Sequence, residues 1–459
     1  MKRRAGLVFF LVLAAVAAVA VPTFAQGVWN TGVDVQNISA SAGTLVVEFY
    51  DSAGATIGTL SDTIDAWGGV NFYLPSESLP SGQFSAVVMS DVQVAAVASQ
   101  ANYDLGGADM YLGTSQPEDT LSFPLVYRDH TSGKWNSKLI IQNASDSAQT
   151  VTVDLYTRGE TTADASVSES IPAYASKVFD ISDAAFAAFG PYGSAVVSGS
   201  APLAGVAQSI RNPGTGKVNV VETEYRAFGA DQQGQSLVTP LVYKNYNLWT
   251  TGINVLNKGA LQTTVTVTYT NSNKNITGGP WTYSMVLDGG AMGSFYSPSH
   301  TGIPDGMYGS AEITSSDADI AVVVASQRYR SSGAEGVAYE GSQRTDATAC
   351  VSLPIAHNRT SWKTGINILN LGDQEATVVI NYFSSTVSAS DATQTISIPA
   401  GSPKSVYMPS DATTDLGFYG AVDVKSTNGQ PLLINVANSR ADKGVASNFV
   451  GVNYTCPAP

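Results

Sequence analysis

The chain has 459 residues, 23 of them basic and 37 acidic, for a net charge of −14. That deficit of positive charge excludes a basic nucleic-acid face, which needs clustered Lys and Arg to displace counterions. Charged residues make up only 13% of the chain against the usual ~25%, so Ser, Thr, Asn, Gln and Gly must supply the polar surface, while 44% apolar residues in a regular pattern exclude disorder.

At the N-terminus Lys2, Arg3 and Arg4 precede an apolar run from Ala5 to Val21, and Thr23-Phe24-Ala25 places small residues before Gln26. The pattern predicts an export signal over residues 1–25, because the run is more Ala-rich and shorter than the ~20 residues of a spanning helix. No Cys follows to carry a lipid, and no later segment is apolar enough to span a bilayer. The mature chain is therefore expected outside the cell. There Cys350 and Cys456, 106 residues apart, read as a disulfide bracketing the last repeat rather than as a catalytic thiol.

The main signal is repetition. Trp29-Asn-Thr-Gly-Val-Asp-Val-Gln-Asn, Trp135-Asn-Ser-Lys-Leu-Ile-Ile-Gln-Asn, Trp249-Thr-Thr-Gly-Ile-Asn-Val-Leu-Asn and Trp362-Lys-Thr-Gly-Ile-Asn-Ile-Leu-Asn are spaced by 106, 114 and 113 residues. A period of this length predicts tandem domains, each with its own core. Counted from the Trp, positions +4 and +6 are always apolar and +8 is always Asn: Asn37, Asn143, Asn257 and Asn370. The next strand is apolar at alternate positions (Leu45, Val47 and Phe49; Val265, Val267 and Tyr269) with polar residues between, the period of a half-buried antiparallel strand. Tyr192-Gly-Ser-Ala, Tyr308-Gly-Ser-Ala and Tyr419-Gly-Ala open later strands, with Phe84-Ser-Ala in the first repeat. Only Ser182 to Phe189 suggests a helical turn.

Pro124-Leu-Val-Tyr127, Pro240-Leu-Val-Tyr243 and Pro354-Ile-Ala-His357 precede the second, third and fourth Trp and predict an opening strand for each domain, with Pro tolerated at an edge. The first repeat has no such segment once the leader is removed. The expected fold is all-β: four antiparallel β-sandwich domains over 26–119 (one strand short), 120–235, 236–347 and 348–459, arranged as an extended rod.

These units resemble the immunoglobulin-like and fibronectin-type sandwich modules of bacterial surface proteins. Leu416-Gly-Phe-Tyr419-Gly resembles their tyrosine corner, which implies a phenol bonded back to nearby backbone; Phe84 departs from it. The resemblance implies architecture rather than activity.

Trp29, Trp135, Trp249 and Trp362 share the parity of the inward positions and are expected to plug the cores. The repeated Asn is expected to close a turn through its side chain. Trp67 and Trp281 do not recur and sit beside Gly-rich turns, as locally packed rings or as exposed contacts for a sugar or partner. His130, His300 and His357 are scattered, and no metal spacing, P-loop or nucleophile elbow appears, so no catalytic, cofactor or metal residue is assigned. Asp104, Asp109, Asp317 and Asp319 lack the spacing of a calcium loop and read as solvated turns. The expected role is structural or adhesive at the cell surface, as part of a surface layer, sheath or filament. Strand donation into the first repeat would link subunits into polymers, and a glycan or envelope component is the other expected partner. A carbohydrate-binding adhesin and an extracellular hydrolase are the alternatives.

Overall fold

The computed structural model describes residues 29–131, 135–211, 220–330, 333–384 and 390–456, together with the backbone of Leu7–Leu11. The expected cleavage site at Thr23-Phe24-Ala25 lies outside these residues. The fold is all-β, in antiparallel sheets. No helix among the described residues is long and apolar enough to cross a membrane. The helical turn expected near Phe186 is a short 3-10 turn, Ala184–Phe186.

Four quarters of the chain repeat one unit of eight strands, the sixth and seventh running on as a single strand, Tyr192–Arg211, in the second. In the third unit the strands run Ser236–Tyr246, Trp249–Asn257, Thr263–Asn271, Trp281–Leu287, Met292–Tyr296, Met307–Ser315, Ile320–Arg330 and Gly333–Glu340. An outer sheet takes the order fourth, third, sixth, first, and an inner sheet the order fifth, second, seventh, eighth. An immunoglobulin sheet instead sets its first strand beside its second. Here the first strand leaves its hairpin with the second to pair along the sixth. The glycine of each Tyr-Gly phrase permits that sheet's close packing. A Cβ at Gly193, Gly309 or Gly420 would run into the carbonyl oxygen of Tyr156, Thr270 or Phe383 on the third strand.

The outer sheets keep the period-two pattern, because their third and fourth strands have one wet face. The inner sheets do not. The Trp strand of the first unit is buried at seven successive residues, Thr31 to Asn37, and the closing strands Gly107–Leu112 and Val445–Val450 are buried throughout. A second layer therefore covers the outward face of each inner sheet, and that layer is the neighbouring unit. Ile140, Ala204 and Val206 of the second unit pack into the first unit's core cluster, and Leu256, Met292 and Val323 of the third into the second's.

The units do not form a rod. The closing strands Gly107–Leu112, Val221–Arg226, Gly333–Glu340 and Val445–Val450 pack each against the next, and the fourth against the first. The result is a closed ring with these four strands at its hub. Side chains knit the hub to backbone: Asp109 Oδ2 accepts the N–H of Glu224 (2.5 Å), Asp109 Oδ1 that of Asn448 (3.3 Å), and Glu340 Oε1 that of Arg226 (2.5 Å). Asp109, read from sequence as part of a solvated turn, is fully buried. It lies on a closing strand, whereas Asp104 in the preceding turn is exposed.

Sulfur and phenol groups fasten the opening strands. Cys350 and Cys456 form the expected disulfide, with Cα atoms 5.4 Å apart, tying the fourth unit's tail to its opening strand. A bulge at Pro124 leaves the backbone of Leu125 out of register, and the Tyr225 phenol satisfies it, donating to the carbonyl (2.7 Å) and accepting the N–H (3.1 Å). Tyr339 does the same for the Leu241 carbonyl. This backbone-tying phenol belongs to the closing strand, not to Tyr419. In the first unit, the slot of the opening strand holds Leu7–Leu11, antiparallel to Ser85–Ser90 with Leu7 opposite Ser90 and Leu11 opposite Ala86.

Candidate functional site

The ring creates four junctions, in each of which the outer sheet of one unit faces the inner sheet of the next. Each inner sheet offers the same positions to that contact: the residue three past the Trp position, the residue five past it, and the fifth-strand residues opposite. In the third unit these are Gly252, Asn254, Ser294 and Tyr296. A Cβ on Gly252 would meet no heavy atom closer than 3.8 Å, so the glycine leaves an open floor. Ser294 Oγ donates to Asn254 Oδ1 (2.7 Å), which fixes the amide with its Nδ2 toward the Val323 carbonyl (3.4 Å).

Facing this floor, the second unit raises an aromatic wall. The Tyr127 ring stacks on His130 (5.3 Å) and tilts against Trp135 (5.4 Å), and His130 lies 4.8 Å from Tyr192. Arg158 Nη1 donates to the Tyr192 phenol (2.6 Å). Floor and wall enclose a cavity of about 560 Å³, within the range of small-ligand sites. Thr250, Ser299, Ser326 and Gln327 add hydroxyl and amide groups, and Tyr296 stands at the rim with 46% of its surface exposed. Burial lowers the His130 imidazole below its ordinary value. Among the described residues no carboxylate lines the cavity, so the two carboxylates of ordinary glycoside hydrolysis are not found there. Nor does any group of His, Cys, Asp and Glu among the described residues have the makings of a metal site.

The repeated tryptophans lie outside the sandwich cores, Trp135 and Trp362 at these junctions. Trp135 packs with Val221 and with Ala334 of the next unit, and Trp362 with Val445 and with Ala101 and Ala108 of the first. Trp29 lies beside Gly107, and the Arg328 guanidinium covers the Trp249 ring at 4.9 Å. Inward parity holds only within the sheet overlap. As the first residue of its strand, or the residue just before it, the Trp lies beyond the sandwich core, where the closing strands receive it.

The repeated Asn is fully buried in every unit and closes its turn. Asn257 Nδ2 donates to the carbonyls of Leu261 (2.9 Å), Leu287 (3.1 Å) and Asp288 (3.0 Å), while Oδ1 accepts the N–H of Gly259 (2.8 Å). Asn37, Asn143 and Asn370 repeat the set. Each thus clamps the second strand's turn to the distant link between fourth and fifth strands. Trp67 and Trp281 are half-buried. Trp67 tilts on Tyr454 (6.1 Å) beside the disulfide, and Trp281 packs against Gly279 and the core edge. Neither is a free loop tip.

Sequence reasoning reached Trp135 and His130 but not the partners that make them a site. Asn254, Ser294 and Tyr296 occupy outward positions of a sheet whose second layer is supplied by another unit.

No known protein family matches the sequence, and no curated protein does. Among solved structures, the crystal structure of Thermotoga maritima 1070 aligns at 14% identity over 25% of this chain and 95% of its own, with a TM-score of 0.20. Trypsin-activated alpha-2-macroglobulin from Escherichia coli aligns at 8% identity over 88% of this chain and 38% of its own, with a TM-score of 0.11. Likenesses at these scores carry no weight for fold or role.

Proposed function

We propose that the chain is an exported, non-catalytic protein of the bacterial cell surface with an adhesive role, and that it holds a neutral saccharide in the cavity between its second and third units. One observation carries the reading: an aromatic wall opposite fixed amides and hydroxyls, with no carboxylate among the described residues that line the cavity. Aromatic faces cover the apolar C–H faces of a sugar ring, while the amides and hydroxyls meet its hydroxyl groups. A disulfide in the chain fits an oxidising location. Titration calorimetry with neutral hexaoses of glucose, mannose and N-acetylglucosamine tests the reading. Binding of one of them, weakened at least tenfold by Tyr296→Ala and by Asn254→Ala, is the expected result. Loss on Trp67→Ala or Trp281→Ala instead moves the site, and no binding by the wild type removes the reading.

A second reading, a subunit of a surface layer, sheath or filament, is favoured by the segment Leu7–Leu11 lying in the first unit's opening-strand slot. Leader removal would bare the edge of Ser85–Ser90 to a strand from another subunit. Light scattering on the processed chain tests this reading, and a strict monomer at high concentration counts against it.

A further inference from the structure

We propose that the junction between the third and fourth units is a second saccharide site of the same class, which makes the chain bivalent for a repeating neutral glycan. The inference rests on the saccharide reading of the second–third junction, and its observations are separate from those of that cavity.

The floor is reproduced residue by residue. Gly365 stands where Gly252 does, and its Cβ would likewise meet nothing closer than 3.8 Å. Asn367 takes the place of Asn254, and Ser405 donates to its Oδ1 at 2.6 Å, the bond Ser294 makes at 2.7 Å. Asn367 Nδ2 points to the Asn435 carbonyl (3.3 Å), as Asn254 Nδ2 does to Val323. Tyr407, paired opposite Gly365, is 42% exposed where Tyr296 is 46%. The wall is reproduced as well: Tyr243 stacks on Trp249 (5.7 Å) and on Tyr246 (6.3 Å), and Tyr246 lies 4.6 Å from Tyr308. The strands bearing Tyr308 and Tyr407 pack together across the junction.

Packing alone does not require this set. The first–second junction shows what a contact serving adhesion between units looks like: there the Asn position is Ile140, the Ser position is Val178, and both enter the first unit's apolar cluster. The sealed fourth–first junction also has a polar residue, Asp34, and a half-exposed tyrosine, Tyr73, but Asp34 bonds across to Tyr419, whereas Asn367, like Asn254, is held by a serine of its own unit. Two such junctions next to each other around the ring present two sites to one polymer, and tethering the second event raises overall affinity without new contacts.

Calorimetry on the full processed chain, with the hexaose that binds and its trisaccharide, decides the matter. Two trisaccharides per chain are expected, falling to one in Tyr407→Ala, to one in Tyr296→Ala and to none in the double variant, with Tyr407→Phe retaining two. A polysaccharide of the same sugar is expected to bind roughly 100-fold more weakly to either single variant, the lower end of avidity gains. A thermal melt of Tyr407→Ala should match the wild type, since the ring is half-exposed. One site per chain in the wild type, untouched by Tyr407→Ala and lost in Tyr296→Ala, overturns this inference alone. No binding of any probe overturns it together with the reading beneath it.

Discussion

The second–third and fourth–first junctions are built on one plan and end differently. Both set an aromatic wall against a glycine floor, and both place a polar residue five past the Trp position. At the fourth–first junction that residue is Asp34, which accepts the Tyr419 phenol at 2.6 Å and the Asn71 amide at 2.8 Å. Tyr419 is thereby drawn across the gap, His357 stacks between it and Trp362 (5.2 and 5.5 Å), and Ser352 donates to Gln36 beside them. At the second–third junction the residue is Asn254, the equivalent phenol of Tyr192 stays with Arg158, and the space remains open. A carboxylate accepts a phenol proton more strongly than an amide does. The acceptor five past the Trp position is thus a carboxylate at the sealed seam and an amide at the cavity.

The strongest way to break the contrast is to cut the sealed seam's staple. The disulfide lies in a cluster with Ile38 and Ala95 of the first unit, so it braces the fourth–first junction from the fourth side. Replacing Cys350 and Cys456 by Ser should lower the unfolding free energy by ~4–5 kcal/mol, the chain-entropy value for a loop near 100 residues. Denaturant unfolding measures it, and saccharide binding at the second–third cavity should persist in the folded variant.

Raising the pH comes next, and it acts on the hub rather than on one seam. Burial lifts Glu224 to about 8, and burial with the charge of Glu224 lifts Asp109 well above the carboxylate range. Glu222 is lifted by burial and by both neighbours. The folded ring holds protons that the unfolded chain releases, so their stabilisation is complete below the ordinary Glu range and is lost as pH rises through 8. At about 1.4 kcal/mol per unit, the loss is on the order of a few kcal/mol. Thermal melts between pH 5 and 9 should show it, and Glu224→Gln should flatten the profile; a profile rising with pH would contradict the hub as drawn.

Much of this was readable from the residues. The alternation of Val265, Val267 and Tyr269, the turn Asn and the cysteine pair all report local facts, and each is realised within one unit. What escaped was the identity of the second layer. Polar residues at outward positions, such as Asp34 and Asn254, fit water and a neighbouring unit equally well by period. The signal that distinguishes them is present but small: Leu139-Ile140-Ile141 is apolar on both faces, the mark of a strand covered twice. Leu256 and Leu369 carry the same mark. The tyrosine-corner resemblance misled for a related reason, since Tyr419 spends its phenol on Asp34, 385 residues away in sequence.

Removing the Tyr419 hydroxyl sharpens the comparison at lower cost. Tyr419→Phe keeps the ring between His357 and Arg359 but takes one donor from a fully buried carboxylate, a loss of about 1–3 kcal/mol. Asp34 stands at about 6, raised by burial and held down by bonds from Tyr419, Asn71 and Ser99. Its titration, followed by carboxyl NMR, should move upward in the variant. An unchanged titration would mean that the phenol is not what holds the seam.

The smallest expected effect is also the most direct exchange of the two junctions. Asn254→Asp gives the open cavity the acceptor of the sealed one, in the same backbone position and beside the same Ser294 donor. A carboxylate there accepts the proton of the Tyr192 phenol, whose oxygen already accepts from Arg158, and so draws the ring across the cavity and reduces the room a sugar would need. Saccharide affinity should fall about tenfold, close to 1.4 kcal/mol, with little change in melting temperature at a junction that already has space for water. Arg158→Ala added to Asn254→Asp frees the phenol entirely and should complete the closure. Should the double variant bind as well as the wild type, a single acceptor does not decide between cavity and seam, and the shape of the wall would have to carry the difference.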